Sequence, residues 1–228
     1  GGSDFENGAG SATSYNHPEF ELGPSSYDVR HTLVFNAVYQ LPFGRGATGA
    51  SRLVQGWQVG IVANYASGVP FTPFIGFDYA KDLSSDPNPQ KPDWAPGASP
   101  ASAIVGSPDN WFNANGFVLP PAGEYGNVER NSLRGPDLKM VDLSLFKNTP
   151  VGKQNLQLRL EIFNLFNRAN FATPHSAALF SPAGTRIPSA TQITHTSTTS
   201  PPGPRGVKLR FSSAPMRPVP QLLARRWR

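Results

Sequence analysis

The sequence Asn155-Leu-Gln-Leu-Arg-Leu-Glu-Ile-Phe-Asn-Leu-Phe-Asn-Arg-Ala-Asn-Phe171 decides the fold, and its first half alternates without a break. Leu156, Leu158, Leu160 and Ile162 fall on one side, and Gln157, Arg159 and Glu161 on the other. A period of two marks a β-strand with one apolar and one polar face. The charged pair in mid-strand leaves two environments open: water outside and a protein core inside, or lipid outside and a wet lumen inside. The following Phe163-Asn-Leu-Phe-Asn-Arg segment also places Ile162, Leu165 and Phe166 on one helical face. Continuity with the alternation favours strand, so this strand is expected over residues 154–167.

Four further segments share the pattern. Residues 28–42 put Leu33, Phe35, Ala37, Tyr39 and Leu41 on one face, with Arg30, Thr32, Asn36 and Gln40 opposite and Val34 and Val38 interrupting. Residues 53–67 put Trp57, Val59, Ile61, Ala63 and Tyr65 opposite Gln58, Gly60 and Asn64. An aromatic at each end of an aliphatic face is the expected form of a lipid-facing band between two interfacial girdles. Residues 137–147 alternate Val141, Leu143 and Leu145 with Asp142 and Ser144, and residues 205–211 alternate Val207, Leu209 and Phe211.

The connections sort by length. Short segments join the first strand to the second and the third to the fourth. Long Pro-, Gly-, Asp- and Asn-rich segments, 67–134 and 168–204, join the second to the third and the fourth to the fifth. Outer-membrane barrels are wired this way, with short periplasmic turns and long extracellular loops. The expected fold class is therefore all-β: antiparallel strands of an incomplete outer-membrane β-barrel with long extracellular loops.

Composition agrees. The 228 residues include 22 Gly and 24 Pro, about a fifth of the chain, and only 15% are charged, against about 25% in ordinary domains. Few charges and many chain breakers suit polar loops joining patterned strands. The net charge of +5 hints at nucleic acid, yet it falls to +1 once Arg217, Arg225, Arg226 and Arg228 of the C-terminal segment are set aside. Without a basic groove interleaved with stacking aromatics, no nucleic-acid partner is expected. The chain contains no cysteine, which removes disulfides and Cys-ligated zinc from consideration. It has no apolar run long enough for a membrane helix. It begins Gly1-Gly-Ser-Asp-Phe without Met, so preceding sequence is expected.

Candidate chemistry is sparse. His17, His31, His175 and His195 are scattered, with no paired-ligand spacing; His31 reads best as an interfacial residue at a strand start. Asp78, Asp82 and Asp86 lack the Gly and closing Glu of a calcium loop and read as solvated loop acids. No nucleophile elbow or phosphate-binding Gly loop is present. No enzyme activity, catalytic residue, cofactor or metal is expected. Arg159 and Glu161 read as part of a lumenal ladder of charge pairs, with contact to a permeating solute or a plug as the functional alternative. Asn164, Asn167 and Asn170 read as caps where the strand leaves the bilayer, with a sugar-contacting edge as the alternative.

Several ordered motifs carry a resemblance: Tyr27-Asp-Val-Arg-His-Thr-Leu-Val-Phe-Asn36, Leu53-Val-Gln-Gly-Trp-Gln-Val59, Ser67-Gly-Val-Pro-Phe-Thr-Pro73, Arg130-Asn-Ser-Leu-Arg-Gly-Pro-Asp137 and Glu161–Phe171. Over residues 25–211 the chain resembles the C-terminal barrel end of TonB-dependent receptors, most closely the Oar-like branch. The resemblance implies a cell outer-membrane receptor or transporter. In that family a plug domain fills a barrel of about 22 strands, and an inner-membrane TonB complex acts through an N-terminal box. Implied partners are outer-membrane lipid, the plug and remaining strands of the same protein, the TonB complex and the barrel assembly machinery. Five strands cannot close a barrel, whose minimum is about eight. Residues 1–211 thus read as the C-terminal portion of a barrel, and 212–228 as a disordered Pro/Arg-rich tail following the short fifth strand. That tail departs from the family's terminal aromatic, a role Phe211 would fit. An adhesion barrel used as an anchor, and a soluble β-sandwich binding module, are the alternatives.

Overall fold

The computed structural model describes residues 22–43, 54–81, 90–174, 178–197 and 206–215. In chain order the strands are β1 (Thr32–Gln40), β2 (Trp57–Ala66), β3 (Pro70–Phe71), β4 (Asp93–Trp94), β5 (Ile104–Ser107), β6 (Asn110–Phe112), β7 (Phe117–Val118), β8 (Leu133–Arg134), β9 (Leu138–Val151), β10 (Gln154–Phe163) and β11 (Gly206–Pro215). Helix is confined, among the described residues, to α1 (Pro100–Ala103) and two short 3-10 turns.

The five long strands form one sheet in the order β1-β2-β9-β10-β11, so among the described residues β1 and β11 are its two edges. Sequence neighbours β1 and β2 pair, as do β9 and β10. The fifth strand adds antiparallel to β10. Two compact units divide the chain. One comprises Val34–Ala63, Met140–Asn167 and Pro204–Arg228, the other Gly1–Leu33, Asn64–Lys139 and Arg168–Gly203. The first is built of strands and short turns, the second of long loops.

All five alternating segments form strands, with shifted boundaries. β1 starts at Thr32 rather than 28, because residues 25–29 turn through Asp28 N–H to Ser25 O and Val29 N–H to Tyr27 O bonds. Gly56, at φ +72, precedes β2 and holds its start to Trp57. β9 runs to Val151, past the expected end at 147, and leaves only Gly152 and Lys153 as the hairpin loop. Gly152 has φ +60, the positive torsion that lets a two-residue turn match strand twist.

Two expectations are corrected. β10 ends at Phe163, not 167: Asn164 (φ +50) and Asn167 (φ +51) both lie in the left-handed region, and Asn167 N–H closes a turn onto Asn164 O at 2.8 Å. Asn tolerates that conformation better than other non-glycine residues, so the local turn overrides both the strand and the helical reading. β11 is a ten-residue strand through Pro215 rather than a short one ending at Phe211. Its pairing with β10 runs unbroken from Phe163↔Gly206 to Gln154↔Pro215. Ser212, Ser213 and Ala214 continue the ladder, and Pro215 comes at the strand's end on a sheet edge, where its missing N–H costs least. The expected tail therefore loses its first four residues to the sheet; residues 216–228 lie outside the described residues.

The loop unit has structure that no sequence periodicity marks. Its segments carry three small antiparallel ladders: β3–β8, β4–β7 and β5–β6. Ser99 caps α1, its side chain accepting the Ser102 N–H while Ser102 reaches back to the Ser99 N–H; this capping box satisfies otherwise orphaned donors. Around these pieces lies a hydrophobic core of Phe71, Ala103, Phe112, Phe117, Val128, Leu133, Leu179, Phe180 and Ala190. Phe112 is its hub: its ring lies 5.7 Å from Phe71 and 5.9 Å from Phe117, the latter edge-on. Full burial of each such side chain stabilises by about 1.5–3 kcal/mol, which gives these loops a core of their own.

Candidate barrel wall and its two faces

Residues directly opposite in an antiparallel ladder project on the same face. The β9–β10 register sets Leu143 against Ile162, Leu145 against Leu160 and Lys147 against Leu158. The β10–β11 register adds Leu209 opposite Leu160 and Phe211 opposite Leu158. Alternation within each strand thus becomes an apolar face running across strands. Much of it is exposed: Leu156 is 44%, Leu209 58% and Phe211 68% accessible.

Lysines fall at both ends of the apolar face of β9, at positions 139 and 147 by strict alternation. Lys147 Nζ stands 5.1 Å from the centre of the Trp57 ring and donates to Gln55 O at 2.9 Å. Lys139 Nζ stands 5.4 Å from the centre of the Tyr65 ring and 3.4 Å from an Asp137 carboxylate oxygen. Each aromatic that bounds the apolar face of β2 therefore carries a β9 lysine over its ring, an arrangement that suits an interface between lipid and water. The eight residue steps from Trp57 to Tyr65 correspond to about 27 Å of strand. At the usual barrel tilt this is roughly 20 Å of height, near the apolar band of an outer-membrane barrel.

The opposite face is polar and centred on Glu161. Arg159 donates to it at 2.6 Å along the same strand, and Arg210 Nε lies 3.9 Å from its second oxygen. The register places Arg210 opposite Arg159 and Lys208 opposite Glu161. Two facing arginines repel, and Glu161 is the carboxylate between them. Arg159 also lies 4.7 Å from the centre of the Phe146 ring, and Gln157 donates to Asn148 at 2.9 Å. Gly60 belongs to this face: a Cβ there would come within 2.5 Å of Ser144 Oγ and 3.3 Å of the Phe146 ring. A side chain there would require the Ser144 hydroxyl to turn away and the Phe146 ring to give. The expected charge-pair ladder therefore forms, and it includes Arg210, which the sequence reading had not linked to Glu161.

Of the three asparagines expected to cap the strand, Asn170 takes a neighbouring strand's N–H with its side chain, whereas at Asn164 the capping side chain is Asp142. Asn164 N–H donates to Asp142 Oδ1 at 2.9 Å, and Asn170, 2% exposed, accepts the Lys139 N–H at 2.9 Å through Oδ1.

Among the loops, motifs distant in sequence meet. Arg134 binds the Asp28 carboxylate and donates to the Asp28 and Gly68 carbonyls at 2.7 and 3.2 Å. Gly68 N–H reaches Asp137 Oδ1 at 3.3 Å, Thr72 exchanges hydrogen bonds with Asn131, and His31 and Ser67 bond through the His31 backbone. A Cβ on Gly68 would lie 1.8 Å from Gly135 O, so these loops require glycine there. His31 is thus placed by its main chain at the start of β1. Sequence reading recognised each motif and missed that they form one clamp, since nothing in the spacing encodes a contact across a hundred residues. An open cleft of about 600 Å³ lies beside the clamp, lined by Trp111, Arg134, Asp137, Arg168 and Phe171 among others. Its Trp111 Nε1 donates to Arg134 O at 2.8 Å, so the principal polar groups lining it hold the loops to one another.

The other candidates are separate. Asp78 accepts from Gln90 Nε2 at 2.7 Å, while the same Gln90 side chain accepts the Tyr79 and Ala80 N–H groups; Asp82 and Asp86 lie outside the described residues. His195 approaches Thr194 at 3.4 Å, and His17 and His175 lie outside the described residues. Among the described residues no group of three or more His, Cys, Asp or Glu side chains converges, and no helix is long and apolar enough to cross a membrane.

No curated protein and no solved structure matches the chain. A family model for an outer membrane beta barrel domain matches residues 1–208, the region that contains β1 to β10 and the first residues of β11. Outward leucines, lysine–aromatic pairs at both ends of one face and a charged opposite face are what such a wall requires, and the chain belongs to the outer membrane beta barrel domain family, a protein of the Gram-negative outer membrane.

Proposed function

We propose that the chain forms part of the wall of a gated transporter of the TonB-dependent receptor type, in which the leucine face meets lipid and the Arg159–Glu161–Arg210 face lines a solute path. The observation that carries the reading is the charged cluster on the face opposite an exposed apolar one. An anchor alone has no need of a three-residue ion network on its inner side. The resemblance of the Tyr27–Asn36, Ser67–Pro73 and Glu161–Phe171 motifs to the Oar-like branch supports the same reading.

On this proposal, the unpaired edges β1 and β11 are completed by further strands of the same protein. A plug occupies the lumen, the inner-membrane TonB complex drives its movement, and the barrel assembly machinery inserts the wall. The role is transport without catalysis. Deleting the gene tests it directly: loss of growth on one nutrient, restored by the intact gene, is the expected result. Unchanged nutrient uptake together with lost cell cohesion would replace it with a barrel-anchored adhesin.

A further inference from the structure

We infer that the polar face at β10 and β11 is an anion-attracting strip, so the solute class that passes it is anionic, bearing carboxylate, phosphate or sulfonate groups. This rests on the wall reading and names the chemistry of that same face. Arg159 and Arg210 pair with the Glu161 carboxylate, and Lys208 stands opposite it in the ladder on the same face. Exposure is unequal: the Glu161 side chain is 12% accessible, whereas Arg159 is 38% and Arg210 63%. The acid is covered by its partners, and the cations face the open side.

The rest of the face reduces this excess without cancelling it. Asp142, the other acid on this face, binds the Asn164 N–H through one oxygen and still carries its charge, so three cations stand against two carboxylates and the face keeps a net positive charge. In β1 and β2 the residues on this face, Asn36, Val38, Gln58, Gly60 and Asn64, carry no charge. Lys208 Nζ stands 5.3 Å from the centre of the Phe163 ring, which leaves its charge unneutralised. Facing Arg159 with Arg210 costs stability in a ladder that only has to be a wall. Together with Lys208 they outnumber the carboxylates of the face and give the strip a positive field. Rings and strips of Arg and Lys are the means by which a pore favours anions over cations.

The test uses local potential rather than transport. The chain has no cysteine, so Ser212→Cys, on the same face two residues from Arg210 and exposed, introduces a single thiol into it. In the protein assembled in its own outer membrane, that thiol is labelled in parallel with a sulfonate-bearing and a trimethylammonium-bearing methanethiosulfonate. The expected result is a rate ratio favouring the sulfonate about five- to tenfold over the ratio for a free thiol, reduced severalfold by Arg210→Gln and restored by Arg210→Lys. A ratio equal to that of the free thiol and unmoved by Arg210→Gln would overturn the anion inference and leave the wall reading standing. A thiol inert to both reagents, while Gln157→Cys on the same face is also inert, would overturn both. The uptake phenotype plays no part in either outcome.

Discussion

Apolar side chains are handled in opposite ways by the two units. In the loop unit Phe112 and Phe117 are 0% exposed and sit at the centre of a core. In the strand unit Leu209 and Phe211 are 58% and 68% exposed and stand in a row with leucines of β9 and β10. Water dictates the first arrangement, since burying apolar surface is the main favourable term in folding. The second is stable only where the surroundings are themselves apolar, and the charged network then takes the inner side. One chain thus folds by the same hydrophobic rule against two solvents, and the sign of the apolar face reports which solvent each unit meets.

That contrast can be broken at three places. Phe112→Ala removes the hub of the loop core and should cost about 3–5 kcal/mol. Hydrogen exchange at Leu133 and Leu179 should accelerate accordingly, and unchanged protection there would mean that the loops have no core of their own. Leu143→Arg, in the middle of the apolar face, should cost about 2–4 kcal/mol when unfolding is measured in lipid vesicles. A cost near zero would mean that this face meets water and that the contrast between units is false. Glu161→Gln keeps the shape of the ion network and leaves Arg159 facing Arg210. It should cost about 1–2 kcal/mol, and the loss should shrink as salt is raised because added ions screen the exposed arginines. A salt-independent loss would place the network in the packing rather than in the charge.

Legibility followed the range of the signal. Alternation located all five long strands, because a strand's faces repeat within a few residues. The same signal overran at Asn164, where a left-handed torsion stopped β10 while the hydrophobicity continued. It fell short at Ser212, whose small side chain carries no pattern although the ladder with Gln157 continues through it. The loop core was invisible for another reason. Phe71, Phe112, Leu133 and Leu179 show no period, and Phe71 meets Phe112 and Leu133 only across a long stretch of chain. Arg159 and Glu161 could be paired by eye, being two apart on one face. Their third member, Arg210, arrives from a strand separated by a long loop and is placed only by register.

By itself the sequence determined that this chain makes long two-faced antiparallel strands with short and long connections, and that no familiar catalytic constellation is written in it. Those are local properties, set by side-chain alternation and chain breakers. Tertiary structure alone decided that the glycine- and proline-rich loops hold a sealed aromatic core. It also decided that Asp28 and Arg134 clamp distant motifs together, and that Arg210 joins Arg159 at Glu161. Each depends on which residues meet across many tens of positions, and that is settled by packing and strand register rather than by neighbours in the chain.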